Sequence, residues 1–279
     1  MIHLYQNVGT GQARNVGIRR AAELGLPFIL YNDADDISHP RRLELVRKAF
    51  EDETVNVVYT SFDVIDENGK VTPPEEVCLS VREITEGHKH EVVEGENAWL
   101  QIVTRKNYTN QTSSTAVRTS LAVEEPFPKR SVSEDSHTWV RYGAHPGKFA
   151  FIPEIKNNYR ICTNVESRSR GLNADFFHQK AATDTAGFEE ALKLAKQFGS
   201  IRPEDEPGIR RAFHVWLALV LLHGDSSALV EQELRSALAL YKDETPNSRV
   251  RTESPCFTSH PSAIFAPATR STTTSATRA

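Results

Sequence analysis

Cysteine is scarce in this chain: three in 279 residues (Cys78, Cys162, Cys256), widely spaced and with no CxxC pair. That pattern excludes a disulfide framework and a cysteine-rich zinc module, and it fits a reducing compartment. A basic excess is also missing. Lys and Arg number 33 against 37 Asp and Glu, a net charge of -4, which argues against a general nucleic-acid binder. No apolar run is long enough to span a bilayer; residues 212–222 come nearest and are interrupted by His214. The opening MIHLYQ has neither a basic start nor an apolar stretch, so no signal peptide is read there. The expected location is cytoplasmic, with peripheral contact to a membrane left open. Asn107 and Asn110 each begin a glycosylation sequon, which in that setting is a chance match. No internal repeat is evident.

What the chain does have is acid in one place. Asp33, Asp35 and Asp36 fill three of four positions directly after the apolar run LPFIL at 26–30. A buried strand ending in carboxylates puts negative charge at the carboxyl edge of a sheet, where open α/β folds bind ligands. Hard oxygen ligands so close together suit Mg²⁺ or Mn²⁺, and such a cation usually neutralises phosphate. Two structural alternatives stand beside this reading. Ser38 could cap a helix with Pro40 in its first turn, making the acids a turn and cap. A calcium loop matches at Asp33, Asp35 and Glu44 but fails at Ile37 and at Ser38, where glycine is required.

Along the chain, residues 2–5 read as a short strand ending in a glycine-containing loop at 6–11. Helical spacing runs from Ala13 to Leu24, and Gly25 stops it. Strand 28–31 delivers the acids, helix 41–50 follows, and residues 55–65 are β-branched and aromatic, closed by a turn at 66–69. Residues 73–96 read as an acidic, irregular surface insertion. A helix over 97–105, a strand over 114–118, a helix over 133–142 with Trp139 and Tyr142 inward, and late strands at 149–153 and 158–162 complete the pattern. Alternating strands and helices predict an α/β sandwich with a mostly parallel sheet flanked by helices. Three helical segments (185–198, 208–222, 227–241) suggest an appendage. The Ser-, Thr- and Pro-rich end predicts a disordered tail. The expected organisation is 1–165 as the α/β domain, 166–244 as the helical appendage and 245–279 as the tail.

Four pieces in order carry a resemblance: QNVGTGQARNVGI (6–18), DADD (33–36), PRRL (40–43) and SED (133–135). Together they resemble the family-two glycosyltransferases with the GT-A (Rossmann-like) fold, over roughly residues 1–162. The resemblance implies transfer of a sugar from a nucleotide-sugar donor, a UDP- or GDP-sugar, to a hydroxyl of a saccharide, lipid or small-molecule acceptor. It implies Mn²⁺ or Mg²⁺ held by Asp35 with Asp33, and Asp135 as the base that deprotonates the acceptor, with Glu134 as the fallback. The displacement would invert the anomeric configuration. Asn7, Arg14, Asn15 and Asp33 fall beside the nucleotide. His137 and Arg141 could reach acceptor or diphosphate, and Arg160, Arg168 and Arg170 could touch phosphates; structural or solvated roles compete for all five.

The chain departs from the family at its start. The usual opening strand, helix and second strand, with their base- and ribose-binding D-D-x-S turn, are not in the sequence, so roughly 70 residues of an ordinary domain are expected to be missing. A truncated start is the favoured reading; a partner supplying the lost part and a degenerate, non-catalytic remnant that binds nucleotide sugar or protein are the alternatives. The Q-x-x-R-W motif of processive synthases is absent too, which favours single addition. A nucleotidyltransferase would need a basic glycine-rich loop near the start, and none is seen.

Overall fold

In the computed structural model, residues 1–106, 110–130, 132–162, 174–222 and 227–242 are described. Their elements follow the local pattern closely. Helix α1 (Thr10–Glu23) begins after Gly9, whose φ of 83° only glycine adopts readily, and ends where Gly25 turns left-handed. Then come β1 (Phe28–Leu30), α2 (Arg42–Ala49) and β2 (Val55–Ile65). Helix α3 (Leu79–His90), β3 (Gly95–Glu96), α4 (Ala98–Gln101) and a π-helical turn over Ile102–Lys106 follow. Strand β4 (Thr115–Arg118), α5 (Thr119–Glu124), α6 (Glu134–Ala144) and β5 (Lys148–Arg160) complete the sheet region. Three helices come last, α7 (Ala174–Gln197), α8 (Glu206–Leu221) and α9 (Ser227–Lys242).

The sheet runs β1-β4-β2-β5-β3. Among the described residues only β2 and β5 pair in parallel; β1 with β4, β4 with β2 and β3 with β5 are antiparallel. The α/β class stands, but the mostly parallel sheet does not. The reason is β4, which enters the sheet between β1 and β2 running the opposite way. Its first residue, Thr115, therefore lies at the carboxyl end of β1, where its carbonyl accepts from the Tyr31 N–H, and opposite Tyr59 in the middle of β2. Alternation from Val57 onward covers both faces: Val57 and Tyr59 enter the main core with Trp99, Trp139 and Phe149, while Val58 packs with Val46, Phe50 and Ile152 beneath α2, joined there by Val55 because the register shifts between Val55 and Val57.

Several local readings change. Residues 2–5 form no strand, and Ile2, Leu4 and Tyr5 are exposed; with no neighbour to take their backbone groups, apolar character alone does not make a strand. The acidic stretch 73–96 contains α3, whose Val81 and Ile84, one turn apart, pack on Phe62 and Val64. The two late strands are one, β5. Register jumps between Ile152 opposite Thr60 and Lys156 opposite Ser61, so Pro153 falls in the bulge and its missing N–H breaks no ladder bond. Ser38 does not cap α2; Arg41 occupies that position, and the Ser38 hydroxyl donates to Asn32.

Helices α7 and α8 are not a separate appendage. Phe177, Phe188, Leu192, Phe213 and Leu217 share the core of Tyr31, Trp139 and Phe149, and Met1–Asp243 forms one compact unit. The predicted tail lies outside the described residues, as do Arg168 and Arg170. Among the described residues no helix is long and apolar enough to cross a membrane, and Cys78 and Cys162 form no disulfide.

Candidate functional site

The loop after β1 is held to the sheet edge by an uncommon device, a buried arginine without an acidic partner. Arg42 is 1% exposed. Its Nη1 donates to the Tyr31 carbonyl and the Ser38 hydroxyl, and its Nη2 to the Thr115 carbonyl, each at 2.9 or 3.0 Å. Burial lowers its pKa to about 10. These bonds tie the ends of β1 and β4 together beneath the acids. Asn157 of β5 adds a second fastening, accepting from the His39 N–H and donating to the Ser113 carbonyl.

The three aspartates of that loop then take different roles. Asp36 is buried and accepts from Gln111 Nε2 at 2.9 Å and from the Arg160 N–H at 2.8 Å. Burial nonetheless pushes its carboxyl above the usual carboxylate range, against the pull of Ser113 and Arg160. Asp33 is half-exposed; its N–H donates to Ser113 Oγ at 2.7 Å, and both its carboxylate oxygens accept from Arg14 Nη2 at 2.9 and 3.1 Å. Asp35 is exposed and uses only its main-chain carbonyl, which accepts from Arg160 Nε at 2.8 Å. Arg160 is thereby a brace of the acidic loop rather than a phosphate hand, with Nη1 on the Asp66 carbonyl.

The second acidic pair opens α6, where helix geometry favours negative charge. Glu134 is buried and turned toward α1. It accepts from Thr10 Oγ1 at 2.7 Å and from Arg14 Nη1 at 3.2 Å. Burial and the neighbouring Asp135 raise its pKa, while Thr10 and Arg14 work against the shift. Asp135 stays half-buried and faces the start of β4, with Thr112 Oγ1 at 3.4 Å and its own helix's Ser136 N–H at 2.8 Å. Ser133 before the pair sits at φ 57°, a left-handed conformation that costs a non-glycine residue energy. From α7, Lys180 Nζ reaches Ser133 Oγ at 3.2 Å and Asp184 at 2.7 Å. Asp184 is fully buried, and that burial raises its pKa despite Lys180.

Arg14 joins the two acidic groups. Burial disfavours its charge, but Asp33, Asp135 and Glu134 outweigh this and hold the guanidinium above its ordinary pKa. Its position follows from how α1 is clasped. Asn15 is buried and brackets Phe127, donating to its carbonyl at 2.9 Å and accepting from its N–H at 2.8 Å. Gly11 permits this approach, since a Cβ there would lie 3.2 Å from Phe127 Cβ and from the Pro128 carbonyl. The Phe127 ring lies 5.4 Å from the Arg14 guanidinium and packs edge-on to Tyr31 and Trp139.

The expected site residues thus separate. Arg14, Asp33, Glu134 and Asp135 are brought together, with Asp35 exposed on the same loop. Asn15 is a clasp for Phe127, its side-chain amide hydrogen-bonded to that residue's main chain. Asn7 is exposed and accepts from the Gly9 N–H, shaping the turn into α1. His137 and Arg141 point away from the acids: His137 Nε2 meets Glu190 at 2.9 Å, and Arg141 pairs with Glu125 at 2.7 Å. The segment 110–115, passed over as a sequon, supplies the partners Gln111, Thr112 and Ser113, and Asn110 is itself buried. Nothing local in its sequence marks it; only the polar run QTSST is unusual for a chain about to enter a sheet.

Among the described residues, no three His, Cys, Asp or Glu side chains are gathered so as to hold an ion alone. A cavity of about 10 Å³ lies beneath α6, lined by Ile102, His137, Asp184 and Phe213 among others. It has room for a water and not for a sugar nucleotide.

Basic and acidic side chains thus converge beyond the carboxyl end of β1, and in open α/β sheets ligands bind at the carboxyl edge. Residues 1–112 match the family model described as glycosyl transferase family 2. That match covers 112 of the 279 residues, and over it the chain is similar to family two. No curated protein matches the chain. Among solved structures, S. aureus TarS 1–349 in complex with UDP-GlcNAc is 17% identical, with 86% of this chain and 74% of that one covered and a TM-score of 0.47. The same protein in complex with UDP gives 15%, 87%, 74% and 0.45.

Proposed function

We propose that this protein is a glycosyltransferase that moves a sugar from a UDP- or GDP-sugar to an acceptor hydroxyl in a single, inverting displacement that depends on Mn²⁺ or Mg²⁺. The observation that carries this reading is the division within the second acidic pair. Glu134 is turned to Thr10 and Arg14, whereas Asp135 keeps a half-exposed carboxylate beside Thr112. Asp135 takes the acceptor proton, and the acceptor oxygen forms its bond to the anomeric carbon as the bond to the donor phosphate oxygen breaks. The electron pair leaves with the nucleotide diphosphate. Thr112 and the Ser136 N–H hold Asp135 as an acceptor of that proton, and Glu134 positions α1 against α6. Asp33 and Asn7 lie on the donor side.

A single exposed carboxylate, Asp35, fits a cation that arrives with most of its ligands as phosphate oxygens and water, the usual habit of Mg²⁺. Bound there, the cation supplies Lewis-acid stabilisation of the charge on the leaving diphosphate. The acceptor class is a saccharide, a lipid or a small molecule.

The test is release of nucleotide diphosphate by the full chain from a panel of UDP- and GDP-sugars with Mn²⁺ or Mg²⁺, with NMR assignment of the product anomer. Asp135→Asn is expected to cut transfer by about 10²–10⁴-fold without loss of folding; undiminished turnover removes Asp135 as base, and retention at the anomeric carbon removes the single displacement. A binding-only protein is the second reading, favoured by the pairing of Asp33 with Arg14. Calorimetric binding of UDP or GDP with Mn²⁺, without turnover of any donor, decides for it.

A further inference from the structure

The acidic cluster already contains a cation. Arg14 Nη2 donates to both oxygens of Asp33, its Nη1 donates to Glu134, and the side chain is only 14% exposed. The arginine is held there by more than its charge. The Asn15 clasp on Phe127 fixes its helix one residue away, and its guanidinium lies against the Phe127 ring. Little side-chain freedom is lost when it pairs, which favours a pre-organised fork over an ion that must shed water.

We propose that Arg14 is a resident counter-ion that bars divalent metal from Asp33 in the nucleotide-free protein, so that metal enters only with a diphosphate and through Asp35. A divalent ion approaching Asp33 must either displace two charge-assisted hydrogen bonds and strand a mostly buried guanidinium, or settle beside a positive charge. Asp36 offers no alternative, because its oxygens accept from Gln111 and the Arg160 N–H. Asp35 alone is exposed with its carboxylate outside this network. One carboxylate binds Mg²⁺ or Mn²⁺ weakly unless phosphate oxygens complete the shell. The site thereby selects the metal–diphosphate unit over free metal.

The meaning of this device rests on the glycosyltransferase reading, but its test does not. Free Mn²⁺ is measured by electron paramagnetic resonance while the full chain is titrated without nucleotide. Wild type is expected to bind weakly, and Arg14→Met at least about tenfold more tightly, since an adjacent full positive charge is gone. Arg14→Met combined with Asp33→Asn is expected to lose the gain. Thermal melts establish that each variant is folded, and Arg14→Gln serves should the methionine variant fail to fold. Equal Mn²⁺ affinity of wild type and both Arg14 variants overturns the proposal, as does wild-type nucleotide-free binding that Asp33→Asn removes. Adding UDP to wild type is expected to restore tight Mn²⁺ binding. Failure of that arm, with the Arg14 gain intact, counts against the nucleotide-sugar reading and leaves the counter-ion role standing.

Discussion

Asp33, Asp35 and Asp36 after β1 and Glu134 and Asp135 at the start of α6 bring the same chemistry to the same edge, yet they are neutralised differently. In the first group the buried member, Asp36, is satisfied by neutral donors from Gln111 and the β5 backbone. In the second, the buried member, Glu134, is met by a cation and a hydroxyl from α1. Each group leaves a less buried carboxylate, Asp35 or Asp135. A sheet-borne loop can borrow backbone N–H groups from the next strand. A helix start facing another helix has only side chains to call on. The buried members are supported accordingly, Asp36 by Gln111 and the β5 backbone and Glu134 by α1.

Exchanging the members of the second pair tests that division most strongly. Asp135→Asn is expected to cut transfer by about 10²–10⁴-fold, the usual contribution of a general base. Glu134→Gln is expected to cost less than about tenfold, because the amide still accepts from Thr10. Steady-state rates with a turned-over donor decide it, and equal losses would erase the distinction.

Next in size is the support from α7. Lys180→Met removes the ammonium that pairs with buried Asp184 at 2.7 Å, and the loss in unfolding free energy is expected at about 3–5 kcal/mol. Adding Asp184→Asn is expected to recover much of it in denaturant melts. Within the first group, Asp36→Ala strands the Gln111 amide and the Arg160 N–H and is expected to cost about 1–3 kcal/mol. Asp35→Asn is expected to leave the melting temperature unchanged while removing the response of transfer to Mn²⁺.

The smallest expected effect is a pH dependence behind the second pair. Burial holds the His137 imidazole below its ordinary pKa, with Arg141 and Arg130 adding to the shift and Glu190 opposing it. The folded state therefore takes up this proton later than the unfolded chain, and stability falls as pH drops below about 6.5. His137→Gln is expected to flatten the melting temperature over pH 7 to 5.5. An unchanged slope would assign it to other groups.

Much of the site was legible because the family motifs and the acid spacing are local. Asp33, Asp35, Glu134 and Asp135 stand out by residue type after a strand or at a helix start, and Arg14 by its place after the glycine loop. Their division of labour was not legible. The Thr10–Glu134 bond spans 124 residues and the Gln111–Asp36 bond 75, and no periodicity reports such partners. Asn15 and His137 read as site residues because amides and imidazoles serve both chemistry and packing; in the fold both are buried, with partners at Phe127 and Glu190. Helix α3 was hidden because a two-residue apolar face among charges carries little signal without the β2 surface beneath it.

By itself, the sequence determined the elements whose pattern repeats within a few residues (α1, β2, α6 and α8) and the kinds of side chain carried to the sheet edge. Period 2 and period 3.6 are properties of a short stretch of backbone. Tertiary structure alone decided that β4 runs antiparallel into the sheet and that α7 and α8 join the main core. It also decided that one cation bridges the two acidic groups. Those outcomes depend on which surfaces meet across the chain, and burial then selects, among like carboxylates, those that fasten and those left for chemistry.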